Sequence, residues 1–198
     1  MTVCTPSEVL GTQIMNHARE FSVSDVLKDG TRVTIRAIRP DDRDRFLEAF
    51  RLLEKDSIYT RFFSPRNDLS DAELDRAVNV DFVREVALVV TTETVRGETI
   101  IAAGRYIASE APNTERSAEV AFIVEEDYHG RGIASRLLAH LAALARGQSL
   151  THFEADVLSQ NSPMLAVFKR CGFPMRQRRD GGVIHLTLEL AANDSAVG

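Results

Sequence analysis

The stretch EVAFIVEEDYHGRGIAS, residues 119–135, joins an apolar run to a turn that contains two glycines. Residues 120–124 have the β-branched and aromatic side chains that favour a buried strand. Beyond the turn an amphipathic helix is predicted to about Arg146, because apolar residues recur at helical spacing, namely Ile133, Leu137, Leu141 and Leu144. This order of strand, turn and helix is typical of α/β proteins.

The turn contains two glycines, Gly130 and Gly132, and this composition is typical of a turn that binds an anion. Glycine has no Cβ to keep a phosphate away, and a helix start offers unpaired N–H groups and a partial positive charge. The alternative is a junction with no ligand, which is common in α/β proteins. A dinucleotide site is disfavoured, because the third glycine of the Rossmann fingerprint is missing and too little chain follows for a second nucleotide-binding half.

Composition restricts the class of protein. The chain has 198 residues, of which 44% are hydrophobic and 27% charged, as in a single soluble globular domain with an appendage. Its net charge of −5 argues against a nucleic-acid or anionic-membrane partner, and no apolar run is long enough to span a membrane. Without a signal-peptide pattern, the cytoplasm is the expected location. The two cysteines and five histidines lack metal-ligand spacing, so no metal is expected.

The chain divides into three parts. Residues 1–27 are weakly periodic, apart from one candidate helix around residues 9–21, and are predicted to be an appendage that could provide a homodimer contact. Residues 28–190 form the predicted domain, and residues 191–198 a disordered tail.

Alternating strands and helices are predicted within that domain. The helices follow Arg39-Pro40, Ser70, Gly132 and Asn161, and the segment 57–66 is a connecting turn. Alternation and turn signals predict strands over residues 32–38, 85–92, 99–109, 117–124, 152–158, 173–178 and 183–190.

This order, with HGRGIA at 129–134 and NSPMLAVFKRCGF at 161–173, resembles the GNAT superfamily of acyl-CoA-dependent N-acyltransferases over residues 30–190. Four further segments resemble the acetyltransferase domain of Pat-type bacterial protein lysine acetyltransferases: LKDGT at 27–31, RAIRPDD at 36–42, YTRFFSP at 59–65 and GVIHLTL at 182–188. The resemblance implies the α/β GNAT fold, in which helices flank a mixed, mostly antiparallel sheet that splays at the cofactor site.

The resemblance also implies acetyl-CoA as co-substrate and places its site. The pyrophosphate loop corresponds to His129, Gly130, Arg131, Gly132, Ile133 and Ala134, with Ser135 in the first helical turn. The family usually has Gln or Arg in place of His129. Pantetheine is expected to pair with Phe122, Ile123 and Val124. Asn161 matches an asparagine that contacts the cofactor arm, although a helix cap is an equally physical role, and Phe168 is expected beside the cofactor.

Glu119 matches the glutamate that many protein-acetylating members use as general base. Burial of Glu119 beside Phe122 is expected, and it would favour a base that takes up protons near neutral pH. Without the resemblance, the sequence favours a solvent-facing glutamate at the start of a strand. Phe168 stands where many members have a tyrosine that protonates the departing thiolate. Tyr128 or Tyr106 could substitute, and nothing in the sequence selects either.

The sequence therefore predicts an acetyl-CoA-dependent N-acetyltransferase that acts on an amine, above all a protein lysine, by direct attack in a ternary complex. The alternatives are a small-molecule amine as acceptor, or a non-catalytic acyl-CoA-binding module. The acceptor pocket is predicted from residues 39–66, including Tyr59, Arg61 and Phe63, together with the final hairpin.

Overall fold

The computed structural model describes residues 17–54, 68–95, 97–109 and 116–190. Within these ranges, helices flank an eight-stranded sheet. In chain order the elements are β1 (Ser22–Val26), β2 (Arg32–Ala37), α1 (Arg43–Leu52), α2 (Asp71–Val78), β3 (Glu85–Thr94), β4 (Gly97–Ala108), β5 (Ser117–Val124), α3 (Ile133–Gly147), β6 (His152–Leu158), α4 (Ser162–Arg170), β7 (Met175–Asp180) and β8 (Val183–Glu189).

The sheet splits between its two parallel strands. The strand order is β1-β2-β3-β4-β5-β6-β8-β7, and every neighbouring pair is antiparallel except β5 and β6. These two strands pair only from Ser117 opposite His152 to Glu119 opposite Glu154. Residues 120–124 of β5 therefore have no strand partner on that side. The predicted mixed, mostly antiparallel sheet with a splayed centre is confirmed.

Alternation of side chains along β4 and β5 assigns the helices to the two faces of the sheet. On one face, the Phe122 ring packs so close to Gly104 that a Cβ on that glycine would lie 2.8 Å from it. The centre of the Phe168 ring of α4 lies 6.1 Å from that of the Phe122 ring on the same face, with the two rings tilted by 54°. Ala121 and Ile123 point to the opposite face, where α1 and α2 lie.

The N-terminal boundary predicted at residue 27 is wrong. β1 pairs with β2 from Ser22 opposite Arg36 to Val26 opposite Arg32, so residues 22–26 form an edge strand of the sheet. Ala18 and Leu27 are fully buried in the core. The segment SVSDV does not stand out in the sequence, because an edge strand with polar residues on its solvent side has a weak hydrophobic pattern. Most of the predicted helix 9–21 lies outside the described residues.

The other predicted elements within the described ranges are present with small shifts at their ends. β6 has the predicted bounds and α4 begins directly after Asn161 as predicted, whereas β7 begins at Met175 instead of residue 173. Ser70 caps α2 by accepting a hydrogen bond from the Glu73 amide, as the capping-box spacing predicts. The predicted turn at 57–66 lies outside the described residues. None of the helices described is long and apolar enough to span a membrane.

A buried ion pair fixes the entry to α1. The Arg36 guanidinium donates two hydrogen bonds of 2.7 Å to the Asp42 carboxylate, and both side chains are almost fully buried. Burial alone would raise the pKa of Asp42, but hydrogen bonds from Arg36 and from the Arg39 amide hold it below its usual value. The pair joins β2 to the turn before α1 and so positions α1 over the sheet.

Candidate active site

A groove of about 840 Å³ opens where β5 separates from β6. Its walls are formed by β5, the turn that follows β5, the first turn of α3, the end of β6 and α4. Every predicted site residue except Arg131 lines it: Glu119, Phe122, Ile123, Val124, His129, Gly130, Gly132, Ile133, Ala134, Ser135, Asn161 and Phe168. The structure thus brings together two motifs that lie about 30 residues apart in the sequence.

The loop end of the groove has the backbone geometry of an anion site. Gly130 and Gly132 have positive φ angles of 73° and 88°, which residues other than glycine rarely adopt. Gly132 precedes the first turn of α3, so the N–H groups of residues 133–135 have no partner within the helix. A Cβ on Gly132 would lie 2.7 Å from the Arg136 guanidinium, so any other residue there would displace that guanidinium.

Arg131 supports the loop instead of lining the groove. Its guanidinium donates hydrogen bonds to the Asp29 carboxylate and, at 2.6 Å, to the backbone oxygen of Asp127. The same guanidinium lies 4.7 Å above the ring of Tyr128. The contact with Asp29 ties the loop to the turn between β1 and β2.

A second arginine strengthens that connection. Arg136 of α3 donates hydrogen bonds to the Asp25 carboxylate at 2.5 Å and to the backbone oxygen of Val26 at 3.1 Å. Burial alone would raise the pKa of Asp25, but the hydrogen bonds that its carboxylate accepts from the Val26 amide and from Arg136 lower it. The β1–β2 hairpin is therefore fastened to the start of α3, although sequence patterns gave no sign of this contact.

The open edge of β5 presents backbone groups to the groove. The Glu125 amide donates to Ile101 of β4, so alternation turns the amides of Phe122 and Val124 toward the gap. The Val124 carbonyl accepts a hydrogen bond of 2.9 Å from His129 Nε2, which must carry the proton because a carbonyl oxygen only accepts. His129 thus links the end of the strand to the loop.

The opposite wall of the groove is built on α4. The Asn161 side chain accepts a hydrogen bond of 3.1 Å from the Met164 amide, so the helix-cap role is present, and the residue also lines the groove. Phe168 is buried against Phe122 and offers an apolar surface there.

Glu119 stands at the fork between β5 and β6. Its side chain is exposed and lies on the sheet face opposite to that of Phe122. The predicted burial of Glu119 beside Phe122 is therefore wrong, because neighbouring residues at odd spacing on a strand point to opposite faces. Glu119 belongs to the last residue pair between β5 and β6, where the two strands separate, and it therefore still lines the groove.

A second cavity of about 420 Å³ lies on the other side of β5, under α1 and α2. Ala121 and Ile123 line both spaces, so only β5 separates them. The cavity is mostly apolar, with Phe46, Phe50 and Leu53 of the α1 region among its walls. The sequence predicted an acceptor pocket from residues 39–66 and the final hairpin. The described part of 39–66 supplies one wall of the cavity, whereas no residue of β7 or β8 lines it, and Tyr59, Arg61 and Phe63 lie outside the described residues.

Glu125 is a carboxylate that sequence patterns did not single out. It lines the second cavity at the end of β5, and burial, reinforced by the charges of Asp127 and Glu126, raises its pKa above the usual value. Only its place in a run of acidic residues was visible in the sequence.

The two candidate tyrosines differ in accessibility. Tyr106 is fully buried, its hydroxyl donates a hydrogen bond of 3.0 Å to Gln148, and burial raises its pKa far above the usual value. It lines neither space. Tyr128 lines the groove at the loop that follows β5, whereas Glu119 lies near the start of β5, and the strand spans roughly 17 Å from Glu119 to Val124 at 3.3 Å per residue.

Comparisons with known proteins agree with this architecture. Residues 32–174 match the family model described as an acetyltransferase (GNAT) domain. The chain is 31% identical over 169 residues to acetyltransferase Pat of Mycolicibacterium smegmatis, an alignment that covers 85% of this chain and 49% of Pat. It therefore spans about half the length of that relative.

Two further similarities extend over most of both partners. Acetyltransferase PA5475 of Pseudomonas aeruginosa is 29% identical over 80% of this chain and 85% of its own length. The crystal structure of the GNAT domain of S. lividans PAT superposes with a TM-score of 0.76 and 35% identity, covering 85% of this chain and 96% of that domain. The chain belongs to the acetyltransferase (GNAT) domain family, a family of enzymes that use acetyl-CoA.

Proposed function

We propose that this protein transfers the acetyl group of acetyl-CoA to the side-chain amine of a protein lysine. The proposal depends above all on the position of the groove and the second cavity, which lie next to each other because Ala121 and Ile123 of β5 line both. One space has the features of a phosphate and pantetheine site, and the other is an apolar pocket. Two substrates bound on either side of β5 would therefore meet near its open edge.

The groove contains groups that fit each part of acetyl-CoA. The free amides at the start of α3 match a pyrophosphate, and the Phe122 and Val124 backbone groups match the amides of pantetheine. When bound, acetyl-CoA supplies the acetyl group as a thioester. An N–H group on the β5 edge can donate to the carbonyl oxygen of that thioester and stabilise charge as it develops.

Direct attack by the amine fits the side chains in the groove. A covalent route needs a nucleophile such as a cysteine thiol beside the acetyl donor. Within the described residues Cys171 is the one cysteine. It lines neither space, and its thiol donates a hydrogen bond to the Phe168 backbone oxygen at the end of α4. A ternary complex with direct transfer requires no such group.

Glu119 is the proposed general base. A lysine amine with a pKa near 10.4 is neutral in about one molecule per thousand at pH 7.4, a cost of about 4 kcal/mol before attack. Glu119 is exposed at the fork, within the groove, and can accept the ammonium proton directly or through a water molecule. Glu125 is the rival base, because it lies on the cavity side of β5.

Protonation of the departing CoA thiolate does not require an acidic side chain of the protein. Phe168 has no proton to give, Tyr106 is buried outside the groove, and Tyr128 lies at its loop end. A CoA thiolate has a pKa near that of cysteine, about 8.5, and leaves tolerably well near neutral pH. We therefore expect solvent to protonate it.

The lysine acceptor is supported by the resemblance to Pat-type protein lysine acetyltransferases and by the cavity. Its apolar walls suit the methylene chain of a lysine, which packs against apolar surface while its amine reaches a polar end. A small-molecule amine is the second candidate, since a cavity of about 420 Å³ is also large enough for a compact ligand.

Acetyl transfer measured with three classes of acceptor tests the proposal: folded bacterial proteins, lysine-containing peptides of the same sites, and small amines or polyamines. We expect the highest kcat/KM with a lysine in a protein or peptide. A small amine with a higher kcat/KM would overturn the acceptor assignment. Tight CoA binding without transfer to any acceptor would instead identify a non-catalytic acyl-CoA-binding module.

A further inference from the structure

Lys28 brings a positive charge to the loop end of the groove. It lies in the turn between β1 and β2, is exposed, and lines the groove beside the start of α3. A Cβ built on Gly132 would lie 3.5 Å from Lys28 Cε, so the lysine stem passes close to the glycine turn. No hydrogen bond or ion pair joins its ammonium group to the described part of the chain.

The two arginines next to the loop already have partners. Arg131 pairs with Asp29, and Arg136 pairs with Asp25 and with the oxygens of Val26 and Gly132. Neither arginine lines the groove. Of the side chains that do line it, Lys28 and Arg170 have a full positive charge, and Lys28 is the one beside Gly132.

The hairpin that holds Lys28 is suited to an anion in a further respect. Asp29 follows Lys28 directly and would repel a phosphate if its charge were free. Its carboxylate is instead occupied by hydrogen bonds from the Thr31 amide and hydroxyl and by Arg131, and these contacts lower its pKa. The ion pairs therefore fix the hairpin against α3 and neutralise the acidic neighbour of Lys28.

We propose that Lys28 is a ligand of the acetyl-CoA pyrophosphate, supplied by the β1–β2 hairpin to the amide-lined turn at Gly130–Gly132. The proposal rests on acetyl-CoA as co-substrate and is independent of the acceptor and of the general base. Backbone amides provide the hydrogen bonds, and Lys28 provides a positive charge toward the groove, because the charge of Arg131 in the turn is paired with Asp29. The segment that contains it lies outside the glycine motif and about 100 residues before it.

Calorimetric titration of the full chain with CoA and with 3′-dephospho-CoA tests this role without any turnover. The variants are Lys28→Met, which keeps the apolar stem, Lys28→Arg, which keeps the charge, and Lys169→Met as a matched control. Lys169 is exposed on α4 and does not line the groove. Thermal melting of each variant confirms that the fold is retained.

We expect Lys28→Met to weaken CoA binding about tenfold at low salt, with a smaller loss at high salt because the contact is screened. Lys28→Arg and Lys169→Met should remain within about twofold of the unmodified chain. The loss for Lys28→Met should be equal with 3′-dephospho-CoA. An unchanged affinity would overturn the proposal, as would a loss that disappears with 3′-dephospho-CoA, which would assign Lys28 to the 3′-phosphate. Failure of the unmodified chain to bind CoA would contradict the co-substrate itself.

Discussion

Glu119 of β5 lies opposite Glu154 of β6 in the last residue pair before these two parallel strands separate. The fork in the sheet therefore begins at a carboxylate. Along β5, the open backbone edge extends from this point to Val124, where His129 and the glycine loop follow. The groove thus has a carboxylate at one end and unpaired amides at the other, the arrangement expected of a site for proton removal beside a phosphate-bearing donor.

Gly132→Val should weaken CoA binding at least tenfold. The left-handed backbone at φ 88° strains any side chain, and a Cβ would displace the Arg136 guanidinium, which holds the hairpin to α3. Calorimetry measures the effect. Gly97→Val is the matched control, because its φ of 95° gives similar strain in open space outside both cavities. Equal CoA affinity in the folded Gly132 variant would contradict the loop assignment.

Leu27→Ala should destabilise the domain by about 2–4 kcal/mol, because it removes a fully buried side chain from the core. Val26→Ala at the neighbouring position should cost less than about 0.5 kcal/mol, since Val26 is 52% exposed. Urea unfolding measures both. Equal and small effects would restore the idea that residues before 28 are an appendage.

Asp42→Asn should destabilise the fold by about 3 kcal/mol at neutral pH, because the nearly buried Arg36 loses one of its two carboxylate partners and keeps the partly exposed Glu98. Asp41→Asn, at an exposed neighbour, is the control. The lowered pKa of Asp42 sets the sign of the pH dependence: its stabilisation is present above the unfolded-state value near 3.9 and is lost as pH falls through the folded-state pKa. The difference between wild type and Asp42→Asn should therefore shrink in acid. A difference that grows in acid would contradict this account.

Glu125→Gln should raise the melting temperature at neutral pH. Burial and two acidic neighbours raise the pKa of Glu125, so its ionised form costs stability as pH rises through the folded-state pKa. A neutral glutamine avoids that cost and keeps an oxygen that can accept hydrogen bonds. Thermal melts across pH 4 to 8 should show the gain at the upper end and little difference at the lower end. A variant that is less stable at neutral pH would refute this account.

The centre of the fold was predictable from local pattern alone. β5, α3, β6 and α4 have strong periodicity, glycine or asparagine precedes each of the two helices, and the bounds of these elements match the prediction within a residue or two. Sequence patterns do not predict β1, because Ser22, Ser24 and Val26 face solvent on an edge strand and the segment therefore has few buried apolar residues.

The parts of the site that escaped prediction depend on contacts between distant segments. Lys28 reaches the glycine turn only because Arg131 and Arg136 hold the hairpin against α3. Glu125 becomes half-buried only when α1 and α2 cover that face of the sheet. Neither contact can be recognised from residue spacing or composition. Glu119, by contrast, was found through a resemblance, while its exposure follows from simple strand alternation.

The most direct test of the account is a pair of pH–rate profiles for acetyl transfer to a lysine peptide, recorded for wild type and Glu119→Gln. Glu125→Gln is the matched control, and CoA affinity and melting are checked in all three proteins. We expect Glu119→Gln to lower kcat/KM by about 10² to 10⁴ near neutral pH, and to recover partly in alkali, where the amine is already neutral. Glu125→Gln should retain most of the wild-type rate. Wild-type rates from Glu119→Gln across the range, or a loss confined to Glu125→Gln, would contradict the assignment of Glu119 as the base.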